Sequence, residues 1–236
     1  MLAQTVVDTS PHGWAYPPVA LLADWRELAV AFLIGSIPFG LIVARLFFKT
    51  DIRASGSGNI GAANALRTLG RKAGIAVLLL DAAKGVVAVA LAWIAVPLLP
   101  FTSTPVPIEF AKPDLPLMPL LGLASILGHC YTPWLRFRGG KGVATFLGAA
   151  FALSWPSGLA FVAVWLAIVL PTGYASLGSM LGTVVAGAVL IATNGRYGAD
   201  AFVFAAGSAL VVAWKHRENL ARLRAGNENR LALLKR

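Results

Sequence analysis

Apolar residues in this chain gather in long blocks separated by polar, glycine-rich and basic stretches, which is the pattern of membrane-spanning segments. Leu28 to Ala44 is the first uncharged block, and the polar stretch Arg45 to Lys72 follows it. The second, Ala73 to Leu99, carries only Asp81 and Lys84 as charges. A proline-rich connector, Pro100 to Pro116, cannot donate a full set of backbone hydrogen bonds and is placed outside the hydrocarbon. A third apolar piece begins at Leu117 and leads into a second basic stretch, Arg136 to Lys141. From Gly142 to Gly195 there are 54 residues without Asp, Glu, Lys, Arg or His, too many for one crossing. Turn formers at Ser154-Trp155-Pro156-Ser157 and Pro171-Thr172-Gly173 divide this block. The pattern predicts an all-α membrane protein, one integral domain over 1–236, with seven transmembrane helices near 28–44, 73–99, 117–131, 143–154, 158–170, 177–193 and 201–214.

Charge orients that arrangement. With the N-terminus outside and the C-terminus cytoplasmic, sixteen of the twenty basic residues fall inside, while Arg26, Lys112 and Arg196 fall outside and Lys84 lies within a span. Had Val143 to Leu170 been a single crossing, six spans would result, and the basic C-terminal tail would face away from Arg136 to Lys141. Seven spans fit better. Some are short or broken: thirteen helical residues rise about 20 Å against a hydrocarbon thickness of about 30 Å. Such spans borrow flanking residues or line a protein-walled cavity. Small residues along them, Gly148, Ala149, Ala150, Gly178, Gly182, Ala186 and Gly187, permit close helix packing.

Composition narrows the chemistry. Of 236 residues 58% are apolar and only 13% charged, about half the fraction of a soluble domain, which excludes a large soluble catalytic domain. The net charge of +10 is spread between apolar runs instead of along one face, so it reads as topology and not as nucleic-acid binding. One cysteine, Cys130, and histidines at 12, 129 and 216 exclude an internal disulfide and give no metal-ligand spacing. Met1 to Ala23 has no basic n-region and is broken by Pro11, Pro17 and Pro18, so no cleavable signal peptide is expected there.

Three polar stretches carry candidate chemistry. In the first, Ser55 to Asn64 with Arg67 following, Gly56, Gly58 and Gly61 match a dinucleotide fingerprint in letters only. The strand and βαβ context are missing, and Asp81, at the ribose-binding offset, lies inside a span. Consecutive Gly and Ser with Asn59 and Asn64 can instead surround an anion at a helix start, with Arg67 adding donors; the alternative is a flexible loop. In the second, Gly128-His129 precedes Gly139, Gly140, Lys141 and Gly142. This describes a phosphate cradle with a cationic clamp but not a Walker A loop, since Leu135 and Gly142 stand where Gly and Ser or Thr are required; the alternative for Lys141 is a topogenic charge. In the third, His216 and Asn219 share a helix face directly after the last span; the alternative is a basic tail attracted to anionic lipid. Asp81 and Lys84, at i and i+3 inside a span, are expected to pair and, with His129, to support the site. No His-x4-Asp pair and no Gly-x-Ser-x-Gly elbow is present, so an acyl-transfer site would lack the familiar dyads.

Together Gly56 to Gly61 with Asn64 and Arg67, Gly139 to Thr145 after Gly128-His129, and His216 to Asn219 resemble the three cytoplasmic motifs of the bacterial acyl-phosphate:glycerol-3-phosphate acyltransferase family. The likeness runs from about Ile34 to Glu228. It implies transfer of an acyl chain from acyl phosphate to the 1-hydroxyl of glycerol 3-phosphate, giving lysophosphatidic acid, in the bacterial cytoplasmic membrane and with the site towards the cytoplasm. Ser57, Arg67, Lys141, Ser176, His216 and Asn219 are implied as substrate-site residues. Ala63 and Gly173 depart from the family, which usually has Thr and a basic residue there. Membrane lipid and the soluble enzyme that makes acyl phosphate are expected partners, no cofactor or metal is expected, and the competing reading is a transporter for a phosphorylated solute.

Overall fold

Proline interrupts the first apolar block. In this computed structural model, which describes residues 25–98 and 117–231, α1 (Trp25–Ser36) stops before Pro38 and α2 (Phe39–Phe48) restarts after it. Pro38 has no N–H to give to α1, so the helix cannot run through it. The interruption was not anticipated in the 28–44 span, although Pro38 marks it. The carbonyls freed by the break are satisfied from other elements: Ser36 O accepts from Thr132 Oγ1 at 2.7 Å and Ile37 O from Lys84 Nζ at 2.9 Å. That arrangement meets the demand that backbone polar groups at membrane depth find protein partners.

The chain continues through α3 (Ala62–Leu69), α4 (Arg71–Leu98), α5 (Leu117–Cys130), α6 (Val143–Leu153), α7 (Trp155–Thr172), α8 (Ala175–Thr193), α9 (Gly198–Lys215) and the short α10 (Arg217–Arg224). Among the described residues there are no strands. Five stretches there are long and apolar enough to cross a bilayer: Trp25–Phe48, Arg71–Ala92, Trp155–Thr172, Ala175–Thr193 and Gly198–Lys215. The shorter α5 has 14 residues and α6 has 11. Ser154-Trp155-Pro156-Ser157, expected to be a turn, is one only at Ser154; Trp155 to Ser157 form the first turn of α7, where Pro156 needs no donor. The proline-rich connector and the N-terminal stretch lie outside the described residues.

The helices meet at backbone distance where glycine allows it. A Cβ on Gly128 of α5 would sit 2.0 Å from Phe32 O of α1, and one on Gly148 of α6 would sit 1.9 Å from Ala82 O of α4. Packing of this kind, not burial from water, holds helices together in lipid. The core follows: Phe146 stacks on Phe204 at 5.5 Å and tilts against Phe161 at 5.8 Å, while Leu79, Phe202 and Leu210 remain on the outside.

Side-chain bonds define two ends. At one, Tyr197 Oη donates to Leu153 O and Asn194 Nδ2 to Ser154 Oγ. At the other the segments 49–62, 131–142, 173–175 and 216–231 come together around a cavity.

Candidate active site

The cavity encloses about 660 Å³ and has two parts. Its polar mouth includes Ser57, Asn59, Arg67, Lys141, Ser176, His216, Asn219 and Glu228; its apolar limb runs down past Leu78, Leu147, Phe161 and Trp165. One compartment therefore joins cationic groups to a greasy groove within a bundle of apolar helices.

The first glycine loop organises itself around Asn64, which is buried. Asn64 Oδ1 accepts from Ser57 N at 2.8 Å, and its Nδ2 lies 2.8 to 3.1 Å from the carbonyls of Ile52, Ser55 and Asn59. Asn59 Oδ1 accepts from Gly61 N. Gly56 has φ +61°, and a Cβ there would sit 2.3 Å from Asn64 Oδ1, so no other residue fits both the backbone and the space. The Asn64 amide is thus engaged within the loop. What the loop turns to the cavity is Ser57 and Asn59, then the start of α3 at Gly61 to Ala63, with Arg67 one turn on. A helix start presents backbone N–H groups and favours an anion.

The second loop is built differently. Gly139 N donates to Cys130 O at 3.2 Å and Gly140 N to His129 O at 3.0 Å, so these amides close the end of α5. Gly140 lies so near the His129 ring that a Cβ would meet Nε2 at 2.0 Å. Lys141 and the start of α6 at Gly142 to Ala144 line the cavity, but Gly139 and Gly140 do not, and nor do Gly56 and Gly58.

A short relay holds Lys141. Its Nζ donates to Asn219 Oδ1 at 2.5 Å, Asn219 Nδ2 donates to Glu228 Oε1 at 2.5 Å, and Glu228 also accepts from Ser176 Oγ at 2.8 Å and Arg222 Nε at 2.9 Å. Burial lowers the Lys141 pKa to about 8, the negative charge of Glu228 opposing that shift. Burial also works to raise the Glu228 carboxyl, but its donors Asn219, Ser176 and Arg222 outweigh this and hold it below the usual glutamate range. Leu231 N donates to Gly173 O at 2.7 Å, tying the segment after α10 to the α7–α8 turn.

His216 caps α9 and lines the mouth. Its Nδ1 lies 2.8 Å from Val212 O; a carbonyl can only accept, so the proton sits on Nδ1 and Nε2 carries the lone pair. Burial and the neighbouring Lys141 charge lower the His216 pKa to about 4. The ring is therefore neutral near pH 7, with Nε2 able to accept a hydrogen bond.

Beneath the mouth, Lys84 Nζ lies 2.9 Å from Asp81 Oδ1, 2.8 Å from His129 Nδ1 and 2.9 Å from Ile37 O. The ammonium hydrogen-bonds His129 Nδ1 of α5 and the Ile37 carbonyl at the α1–α2 break, and it pairs ionically with Asp81 of α4, the buried pairing anticipated for Asp81 and Lys84. Asp81 and His129 reach the cavity wall and Lys84 does not. Glu228 is the residue sequence reasoning passed over. Its signal is an acidic residue in a basic tail, two positions after Gly226 at φ +71°.

Comparison with known proteins places the chain in a family. The family model described as glycerol-3-phosphate acyltransferase matches residues 27–226. A glycerol-3-phosphate acyltransferase of Zymomonas mobilis is 40% identical over 204 residues, 86% of this chain and 92% of that one; one of Geobacter sulfurreducens is 44% identical over 205 residues, 86% and 94%. Among solved structures, PlsY (YgiH), an integral membrane glycerol 3-phosphate acyltransferase, superposes in its glycerol 3-phosphate form with a TM-score of 0.74 at 37% identity, covering 89% of this chain and 96% of that one. Its lysophosphatidic acid form gives 0.72 at 36% identity, covering 88% and 95%. The resemblance carried by the three motifs is borne out: this chain belongs to the glycerol-3-phosphate acyltransferase family.

Proposed function

We propose that the protein transfers an acyl chain from acyl phosphate to the 1-hydroxyl of glycerol 3-phosphate, releasing lysophosphatidic acid and inorganic phosphate, the first acylation of phospholipid synthesis. The observation that carries this reading is the cavity itself, in which Lys141, Arg67 and the starts of α3 and α6 face a polar mouth that opens into an apolar limb. Cations and helix starts suit two phosphates, and the limb suits an acyl tail. No cofactor or metal takes part.

In this reading the 1-hydroxyl oxygen attacks the acyl carbonyl carbon, a C–O ester bond forms, and the C–O bond to phosphate breaks with its electron pair leaving on phosphate. Acyl phosphate is a mixed anhydride with a good leaving group, so alignment and charge stabilisation supply most of the acceleration. Lys141 and Arg67 hold phosphate oxygens, Ser57 and Ser176 orient substrate oxygens, and Asn219 aims Lys141. His216 Nε2 accepts a hydrogen bond from the hydroxyl and orients it. A ring with a pKa of about 4 is a poor base, and the proton passes to an oxygen of the departing phosphate.

The same reading places the protein in the bacterial cytoplasmic membrane with the mouth towards the cytoplasm, where the soluble enzyme that makes acyl phosphate delivers the donor. Seven crossings are supported by the alternation of ends, since each helix from α4 to α9, and the α1–α2 pair, joins the cavity end to the end held by Tyr197 and Asn194. Purified protein in detergent tests the function. Phosphate release from palmitoyl phosphate that depends on glycerol 3-phosphate is expected, and solute uptake into vesicles without phosphate release would replace the enzyme reading with the transporter.

A further inference from the structure

One aromatic ring lies at the bottom of the cavity's apolar limb. We propose that Phe161 sets the length of acyl chain the site accepts, an inference that rests on the acyl-transfer reading above.

The limb descends between α4, α6 and α7, and no residue of α7 before Phe161 contributes to its wall. Past that level two contacts close it. On one side α4 and α6 touch through their backbones: a Cβ on Gly85 would sit 2.1 Å from Thr145 O, and Gly148 is equally close to Ala82 O. No methylene chain passes between them. On the other side the Phe161 ring, itself buried, leans on Phe146 at 5.8 Å and is backed by Gly182 of α8, where an added Cβ would lie 3.0 Å from the ring. Behind Phe161 there is packed protein, and in front of it there is cavity.

The depth is chemically meaningful. Phe161 precedes Thr172, at the mouth end of α7, by eleven residues, a helical rise of about 16 Å. At ordinary carbon–carbon bond lengths and angles that distance holds roughly a dozen methylenes. A long-chain acyl group whose carbonyl lies at the mouth therefore brings its terminal carbons to the Phe161 ring.

Two substitutions push the floor in opposite directions. Phe161→Leu removes ring volume and deepens the limb, whereas Gly182→Ala presses on the ring from behind and makes it shallower. The measurement is kcat/KM with lauroyl, palmitoyl and stearoyl phosphate at fixed glycerol 3-phosphate, on protein purified in detergent. Expected is a rise of about tenfold in the stearoyl-to-lauroyl ratio for Phe161→Leu and a fall of similar size for Gly182→Ala, the range for small volume changes in an apolar pocket. An unchanged ratio in both variants overturns the proposal and sends the tail sideways between α4 and α7, where Ile75 and Leu166 are exposed. If Phe161→Leu does not fold, Gly182→Ala decides alone, an unchanged ratio again overturning the proposal. An unaltered protein that releases no phosphate from any of the three donors overturns the acyl-transfer reading and the chain-length proposal with it.

Discussion

The two glycine-rich loops look alike as sequence and differ as structures. The loop from Ser55 to Gly61 is shaped by hydrogen bonds from within: Asn64 supplies them, and they stay between residues 52 and 64, while Ile60 packs on Gly40 of α2. The loop from Gly139 to Gly142 is held from outside, its amides closing α5 and its lysine reaching across to Asn219 on α10. The hydrogen bonds of the first loop are all local, whereas the second adds one to a residue 78 positions away. Glycine enrichment before a helix thus has two physical sources. Positive φ requires it at Gly56, Gly58 and Gly142, and close approach requires it at Gly139 and at Gly140 against His129, with Gly56 meeting both demands.

The largest expected effect isolates what the second loop contributes. Lys141→Ala should reduce turnover by about a thousandfold, roughly 4 kcal/mol of transition-state stabilisation, read as phosphate release; near-normal activity would remove Lys141 from the chemistry. Next is the first loop's hub. Asn64→Ala leaves several buried carbonyls and the Ser57 N–H without their partner and should cost about 3 kcal/mol, seen as a lower Tm in detergent together with lost turnover. A fall in activity with no change in Tm would instead give Asn64 a direct role with substrate.

Gly140→Ala forces a methyl onto the His129 ring and should cost about 2 kcal/mol, whereas Gly61→Ala, whose Cβ would meet Asn59 Oδ1 at 3.1 Å, should cost less than about 1 kcal/mol. Equal costs would erase the distinction between the loops. The smallest effect is read against pH. With Lys141 titrating at about 8, kcat/KM should fall towards tenfold per unit above that pH, and Lys141→Arg, if active, should move the alkaline limb upward. The lowered His216 pKa acts on stability. Between about pH 6.5 and 4 the unfolded chain binds a proton that the folded chain refuses, so stability falls as pH drops through that window. Replacing His216 with Gln should flatten that part of the Tm–pH profile.

Much of this was legible beforehand because lipid imposes simple rules. The helix ends fall within a few residues of the apolar blocks, and Asp81 with Lys84 had to pair because a lone charge in a span is costly. The residues brought to one cavity include Ser57, Arg67, Lys141, Ser176, His216 and Asn219, which lie on six separate stretches of helix and loop. The assignment of loop glycines was coarser, because whether an amide faces a substrate or a neighbouring helix depends on packing that no local pattern encodes. Gly139 and Gly140 are the example, since their partners are carbonyls of α5. Glu228 was opaque for the same reason: its partners Ser176, Asn219 and Arg222 stand 52, 9 and 6 residues away in sequence and meet only after α8 and α10 have docked.

The position of Glu228 has a consequence for biogenesis. A chain emerges from the ribosome beginning at its N-terminus, so both glycine loops and every described helix are synthesised before residues 228–231 arrive. Until they do, Asn219 lacks its acceptor, Ser176 lacks its partner and the α7–α8 turn lacks its tie to Leu231. The relay that holds Lys141 is consequently the last part of the site to be assembled, and a partly inserted chain carries every described helix yet a lysine whose Asn219 partner is not fixed by Glu228.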